Sequence, residues 1–177
     1  MFDTLHADIR RNLQDYLPCG PLRKLGLLLT LNSIHAVTLI RWQQWCARHR
    51  IPTLVPAKLL FWIFKIEINK SARIGPGLRL PHPMGILIAP GVEIGPNCDL
   101  LADVRLVLAN GKPRGPRLGA HVFMGDGAKA VGDVSIGDHA IIGVSAVVTR
   151  DVPADATAVG IPAKIIQTNN LRRQDTR

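Results

Sequence analysis

Apolar residues recur every six positions in this chain from Ile68 onward. Counting by six gives Ile68, Ile74, Leu80, Ile86, Val92, Cys98 and Val104. After an interruption the count resumes at Leu118, Met124, Ala130, Ile136, Ile142 and Val148. With 47% hydrophobic residues overall, chance would fill thirteen fixed positions this way about once in twenty thousand sequences. Neither the two-residue period of a strand nor the 3.6-residue period of a helix yields such a pattern. A hexapeptide repeat does, because each group of six forms one flat face of a triangular coil whose first residue points inward. Three faces make a coil of about 18 residues, and successive coils stack at the ~4.8 Å spacing of paired strands. The position four further on is also restricted, to Ala72, Leu78, Met84, Pro90, Pro96, Ala102 and Leu108, then Val122, Ala128, Val134, Ala140, Ala146 and Val152, and small or ring-closed residues there suit a tight corner. Glycines 75, 119, 125, 137 and 143 each follow an inward residue. The predicted fold is mainly β: a left-handed parallel β-helix with an N-terminal α-helical region. In an ideal coil of this kind residue 85 stands over residue 67.

Residues 1–65 read as helical. Asn32 and Ser33 are N-cap candidates; Ile34, Val37, Ile40 and Trp45 follow at helical spacing, with Arg41, Gln44 and Arg48 on other faces. A second helix is expected after Pro56, carrying Leu59, Leu60, Trp62, Ile63 and Phe64, a run far too short to span a bilayer. Its apolar face is expected against an interdomain or intersubunit core, with peripheral contact at a membrane surface as the less expected alternative. The coil occupies 66–166 and ends in a C-terminal cap; 167–177 reads as a flexible tail. Both ends of the coil are sheet edges that need cover, and the helices are assigned to one of them. Residues 109–117, ANGKPRGPR, carry two glycines, two prolines and three basic residues. They read as a loop ejected from the coil and held rigidly at its base.

The formal net charge is +9, yet Lys and Arg are scattered rather than interleaved with aromatics, so no nucleic-acid surface is expected. The basic balance suits a polyphosphate ligand equally well. Three cysteines without CxxC spacing argue against a disulfide framework and a zinc ribbon. The start MFDTLHADIR lacks the basic and apolar regions of a signal peptide. A cytoplasmic location is the expectation.

Four segments together resemble the serine acetyltransferase branch of the hexapeptide acyltransferases: IHAVTLIRWQQWCARHRI, FKIEINKSARIG, LPHPMGILIAPGVEIG and GVSAVVTRDVPADATAVGIPAKII. The resemblance implies a homotrimer, with pairing of trimers into hexamers left open, and acetyl-CoA bound as co-substrate between coils, with no metal. It makes His82 the catalytic base and Glu67 its carboxylate partner. The chemistry is coherent, since an alcohol attacks a thioester as its proton is removed, and imidazole is the common base for that step. A carboxylate on the other ring nitrogen would orient the ring. The resemblance also places Gly125, Asp126, Gly143 and Val144 along the pantetheine arm and Lys164 near the nucleotide phosphates.

Two departures bear on the acceptor. Pro81 stands where the family carries an Asp that binds the substrate amine, and Arg114-Gly115 stands where it carries an Arg-His pair. With these features the chain resembles shortened O-acetyltransferases of surface-polysaccharide or sugar biosynthesis, and that resemblance implies a saccharide hydroxyl as acceptor, held by Arg114 and Lys112 in the ejected loop. Serine is the alternative. An alternative of another class is a zinc lyase of the carbonic anhydrase type, because His121 and His139 lie one 18-residue coil apart and should stack on one face.

Overall fold

The computed structural model describes residues 2–18, 20–110 and 113–168, with side chains described up to Ile166. Helices α1 (Phe2–Leu13), α2 (Pro21–Thr30), α3 (Asn32–Arg48) and α4 (Leu54–Phe64) come first, and every later element is a short strand. Three parallel sheets form from strands that return to the same face on each turn. The first face pairs Glu67–Ile68, Leu87–Ile88, Arg105–Val107, Lys129–Val131 and Val147–Val148. The second pairs Arg73–Ile74, Glu93–Ile94, Arg117–Leu118 and Ser135–Ile136. The third runs from Asp99–Leu100 through Phe123–Met124 and Ile141–Ile142 to Ala156–Val159. The antiparallel strand Lys164–Thr168 closes it, so the regular chain runs past residue 166. This is the parallel β-solenoid expected from the six-residue period.

All thirteen residues of that period are buried, but its register is corrected by the structure. Leu87, not residue 85, stands beside Glu67, and Ile88 stands over Ile68. Two extra residues at the corner 81–85 lengthen the first coil, so that Ile88, Ile94, Leu100 and Leu106 continue the column begun by Ile68, Ile74 and Leu80. Ile86, Val92, Cys98 and Val104 occupy the other inward slot of each face, and they too are buried. In this stretch the residues assigned to tight corners shift accordingly, and Met84 is exposed.

The helical cap is built from polar side chains reaching the open edge of the first coil. Asn12 donates from Nδ2 to the Leu78 carbonyl (2.9 Å) and accepts from the Leu80 N–H (3.0 Å). Gln43 donates to the Ile68 carbonyl (2.8 Å), and Arg41 donates to the carbonyls of Ile74 (2.8 Å) and Gly75 (2.6 Å). Unpaired backbone groups at a buried edge are costly, and these contacts satisfy them. Arg41 is therefore buried rather than on an outer helix face, and Cys46 rather than Trp45 extends the inward stripe of α3. Helix α3 starts at Asn32 itself, with Leu31 as the cap and no side-chain capping bond. In α4 only Pro56, Leu60 and Phe64 are buried, and Trp62 and Ile63 are exposed on the single chain.

Candidate active site

His82 lies on the lengthened corner that joins the third face to the first. Pro81 and Pro83 flank it, and proline fixes the backbone torsion on either side. Pro83 is buried and Pro81 half-buried, while His82 between them is exposed. The corner is pinned by three backbone bonds: Met84 N–H to the His82 carbonyl (2.8 Å), Gly85 N–H to the Phe64 carbonyl (3.1 Å) and Asp103 N–H to the Met84 carbonyl (2.8 Å). The two-residue excess thus pushes an imidazole outward from a rigid base. Glu67, exposed on the first face, begins the coil that this corner covers. Neither side chain is hydrogen-bonded among the described residues, so the single chain places the two on successive turns without joining them.

The same corner recurs once per coil, and the expected cofactor residues fall on it. Gly85, Asp103, Gly127 and Ser145 occupy equivalent positions with φ between 55° and 69°. Gly125 and Asp126 lie on one turn of this column, Gly143 and Val144 on the next. Gly125 has a structural reason to be glycine: a Cβ there would sit 2.8 Å from the Val144 nitrogen of the following coil. A Cβ on Gly143 would meet Val159 Cγ1 at 2.7 Å. Asp126 caps the previous turn, its Oδ1 accepting the Ala102 N–H at 3.0 Å. Exposed Val144 keeps a backbone N–H that is unbonded among the described residues, which fits an amide-bearing arm lying along the column. Lys164 is exposed on the terminal hairpin opposite Val159, a placement that suits a phosphate.

Arg114 is exposed on the ejected loop, which leaves the coil at the other edge of the first face. Arg105 stands beside Lys129, 24 positions on, so the loop inserts six residues. Its C-terminal end is tucked back, with Gly115 and Pro116 buried and Glu93 N–H donating to the Pro116 carbonyl at 3.1 Å. Arg114 and His82 are therefore on opposite edges of one face and do not meet within one chain. Lys112 lies outside the described residues. His121 and His139 do stack as their spacing predicts, with ring centroids 4.7 Å apart and planes 7° apart. Parallel rings aim their lone pairs side by side rather than at a common point, and among the described residues no third ligand joins them.

Two groups near the site escaped sequence reasoning. Lys129 Nζ donates to the Gly127 carbonyl at 2.9 Å, on the corner column that carries Gly125 and Asp126. Asp15, just beyond α1, accepts two bonds from Arg79 Nη1 at 2.9 and 3.1 Å, and Arg79 precedes the His82 corner by two residues. Only the register of the coil could have pointed to Lys129; for Asp15 the signal is a contact 64 residues away in sequence.

No protein-family model matches the chain. It is 34% identical to the serine acetyltransferase of Synechococcus elongatus over 179 residues, covering 97% of this chain and 71% of that protein. With the serine acetyltransferase of Helicobacter pylori J99 the identity is 38% over 148 residues, 81% of this chain and 86% of the other. The crystal structure of Neisseria gonorrhoeae serine acetyltransferase in complex with serine superposes with a TM-score of 0.82 at 30% identity, covering 92% of this chain and 68% of that one. The likeness thus runs through the helical cap, the coil and the terminal hairpin together, and the chain belongs to the serine acetyltransferase family.

Proposed function

We propose that the chain transfers acetyl from acetyl-CoA to the hydroxyl of serine, with His82 removing the hydroxyl proton. The observation that carries this reading is the identity with serine acetyltransferases along almost the whole chain, joined to an exposed imidazole on the same corner column as Asp126 and Val144. It supports serine over the saccharide acceptor expected from sequence. Acetyl-CoA bound along the column would supply the activated acetyl group. The chain's own residues then do three things: Val144 N–H and Lys164 hold the arm and phosphates, His82 accepts the serine proton, and Glu67 orients the ring. The Asp15–Arg79 pair offers one charge of each sign beside the corner, the complement of a zwitterion, and so answers the loss of a carboxylate at Pro81. A homotrimer would let the Arg114 loop of one chain approach the His82 edge of its neighbour.

A saccharide acceptor is the second reading, favoured by Pro81 and by Gly115, which remove two polar groups from the expected serine site. Release of CoA by the purified chain separates the two. Saturable turnover with L-serine supports the first reading. Turnover with neutral sugars and none with L-serine overturns it.

A further inference from the structure

Between Asp15 and Glu67 the chain carries no acidic residue at all, while it carries seven Lys and Arg. One of the seven, Arg41, is consumed inside the cap by Asp8. The other six, Arg23, Lys24, Arg48, Arg50, Lys58 and Lys65, are all exposed. The same segment exposes its largest apolar side chains. In α4, Leu54, Lys58, Phe61 and Trp62 follow at i, i+4, i+7 and i+8, one face of the helix opposite the Leu60 and Phe64 that it buries, and Lys65 caps its C-terminus. Trp62 is 66% exposed and Ile63 59%. Lys65 Nζ lies 5.3 Å from the Phe61 ring centre. Helix α2 buries none of its residues, and its Leu22, Leu25 and Leu29, at i, i+3 and i+7, are exposed. A soluble surface does not ordinarily leave this much aromatic and aliphatic area uncovered.

We infer that the exposed face of α4 is a docking surface for an anionic lipid bilayer. Aromatic rings flanked by Lys and Arg are the composition that settles at the headgroup level, rings toward the acyl boundary and cations toward lipid phosphates. An isologous pairing of two copies through this face fits less well, because it would set Lys58 and Lys65 of one copy against those of the other with no acidic residue in either α4. No single helix is long and apolar enough to cross the membrane, so the surface lies on the bilayer rather than through it. Since Gly85 N–H is bonded to the Phe64 carbonyl at the end of α4, the docked helix would hold the His82 corner beside the lipid surface.

The test is cosedimentation of the full chain with vesicles, either phosphatidylcholine alone or phosphatidylcholine mixed equally with phosphatidylglycerol. The expected result is partition onto the mixed vesicles only, and its loss as salt rises and the Debye length shrinks. Lys58→Ala should weaken partition about fivefold, the loss of one cation near the surface, and Trp62→Glu should abolish it with the circular dichroism spectrum unchanged. Should Trp62→Glu fail to fold, Lys58→Ala, on the solvent side of α4, carries the test alone. Chain that stays in the supernatant overturns the proposal, as does equal binding to both vesicle types or wild-type binding by Lys58→Ala. Self-association that Trp62→Glu dissolves, with no vesicle binding by the wild type, overturns it in favour of a second copy. Partition is read without an acceptor, so its outcome is independent of the serine assignment.

Discussion

Arg41 of α3 closes on Asp8 of α1 through a two-pronged contact, Nε to Oδ2 at 2.6 Å and Nη2 to Oδ1 at 3.0 Å, with both side chains almost fully buried. The remaining hydrogen bonds of the pair go to the first coil: Asp8 Oδ1 accepts the Leu78 N–H, and Arg41 donates to Ile74 and Gly75. The pair is thus the joint between helical cap and solenoid. Breaking a buried ion pair leaves an uncompensated charge, which costs about 3–5 kcal/mol. Arg41→Ala should lower unfolding stability by that amount in urea titration. Arg41→Lys keeps the charge but loses the planar fork, and should fall between alanine and wild type. Wild-type stability for the alanine variant would show that the joint bears no load.

His82→Ala should reduce kcat for acetyl transfer by about 10²–10⁴, the usual contribution of a general base, with KM for acetyl-CoA little changed. Glu67→Gln should reduce it less, because an orienting carboxylate acts only through the ring it positions. Steady-state release of CoA measures both. Equal loss in the two variants would make Glu67 a direct participant, and no loss in His82→Ala would remove the base.

The solenoid was legible because its period is enforced by packing at every turn. Its register was not, for a specific reason. Each face has two inward slots two residues apart, as at Ile66 and Ile68, Ile86 and Ile88, Val104 and Leu106, and all of these are buried. An insertion of two residues at the His82 corner therefore moves the count from one apolar slot to the other without breaking the six-residue rhythm. Arg41 was misread because a charge on a helix normally marks the solvent side; its partner Asp8 lies 33 residues away, and no local pattern announces it. The histidine stack was legible, since one coil of separation fixes it.

Cys98 illustrates what the interior does to a reactive group. Its thiol is fully buried and donates to the Gly119 carbonyl at 3.1 Å. Burial pushes its pKa from 9.0 up to about 11, against the lowering effect of the Val122 backbone. The thiolate is the nucleophile, so native protein treated with iodoacetamide at neutral pH should show no carbamidomethyl group on the Cys98 peptide, and full modification once unfolded in urea. Modification of the native chain at a free-thiol rate would mean that this slot opens to solvent.

His121 makes the solenoid sensitive to acid. Its proton affinity is lowered first by burial, next by the neighbouring His139 and by Arg11 of α1, while Asp138 and Asp99 oppose the shift. Asn97 Nδ2 lies 3.4 Å from His121 Nε2 and completes its surroundings. The folded pKa thus lies below 6.5, the ordinary histidine value that applies to the unfolded chain. Protons then bind more readily to the unfolded state just below that value. The stabilisation is fully present above 6.5 and is lost as pH falls from there through the folded value. His121→Asn removes the titrating ring and keeps a residue type that tolerates the φ of +57° at this corner. Between about pH 7 and about pH 5 the wild-type Tm should therefore drop further than that of His121→Asn. Parallel Tm curves for the two proteins would show that the stacked imidazoles do not couple protonation to folding, and any fall of Tm common to both would then belong to other titrating groups.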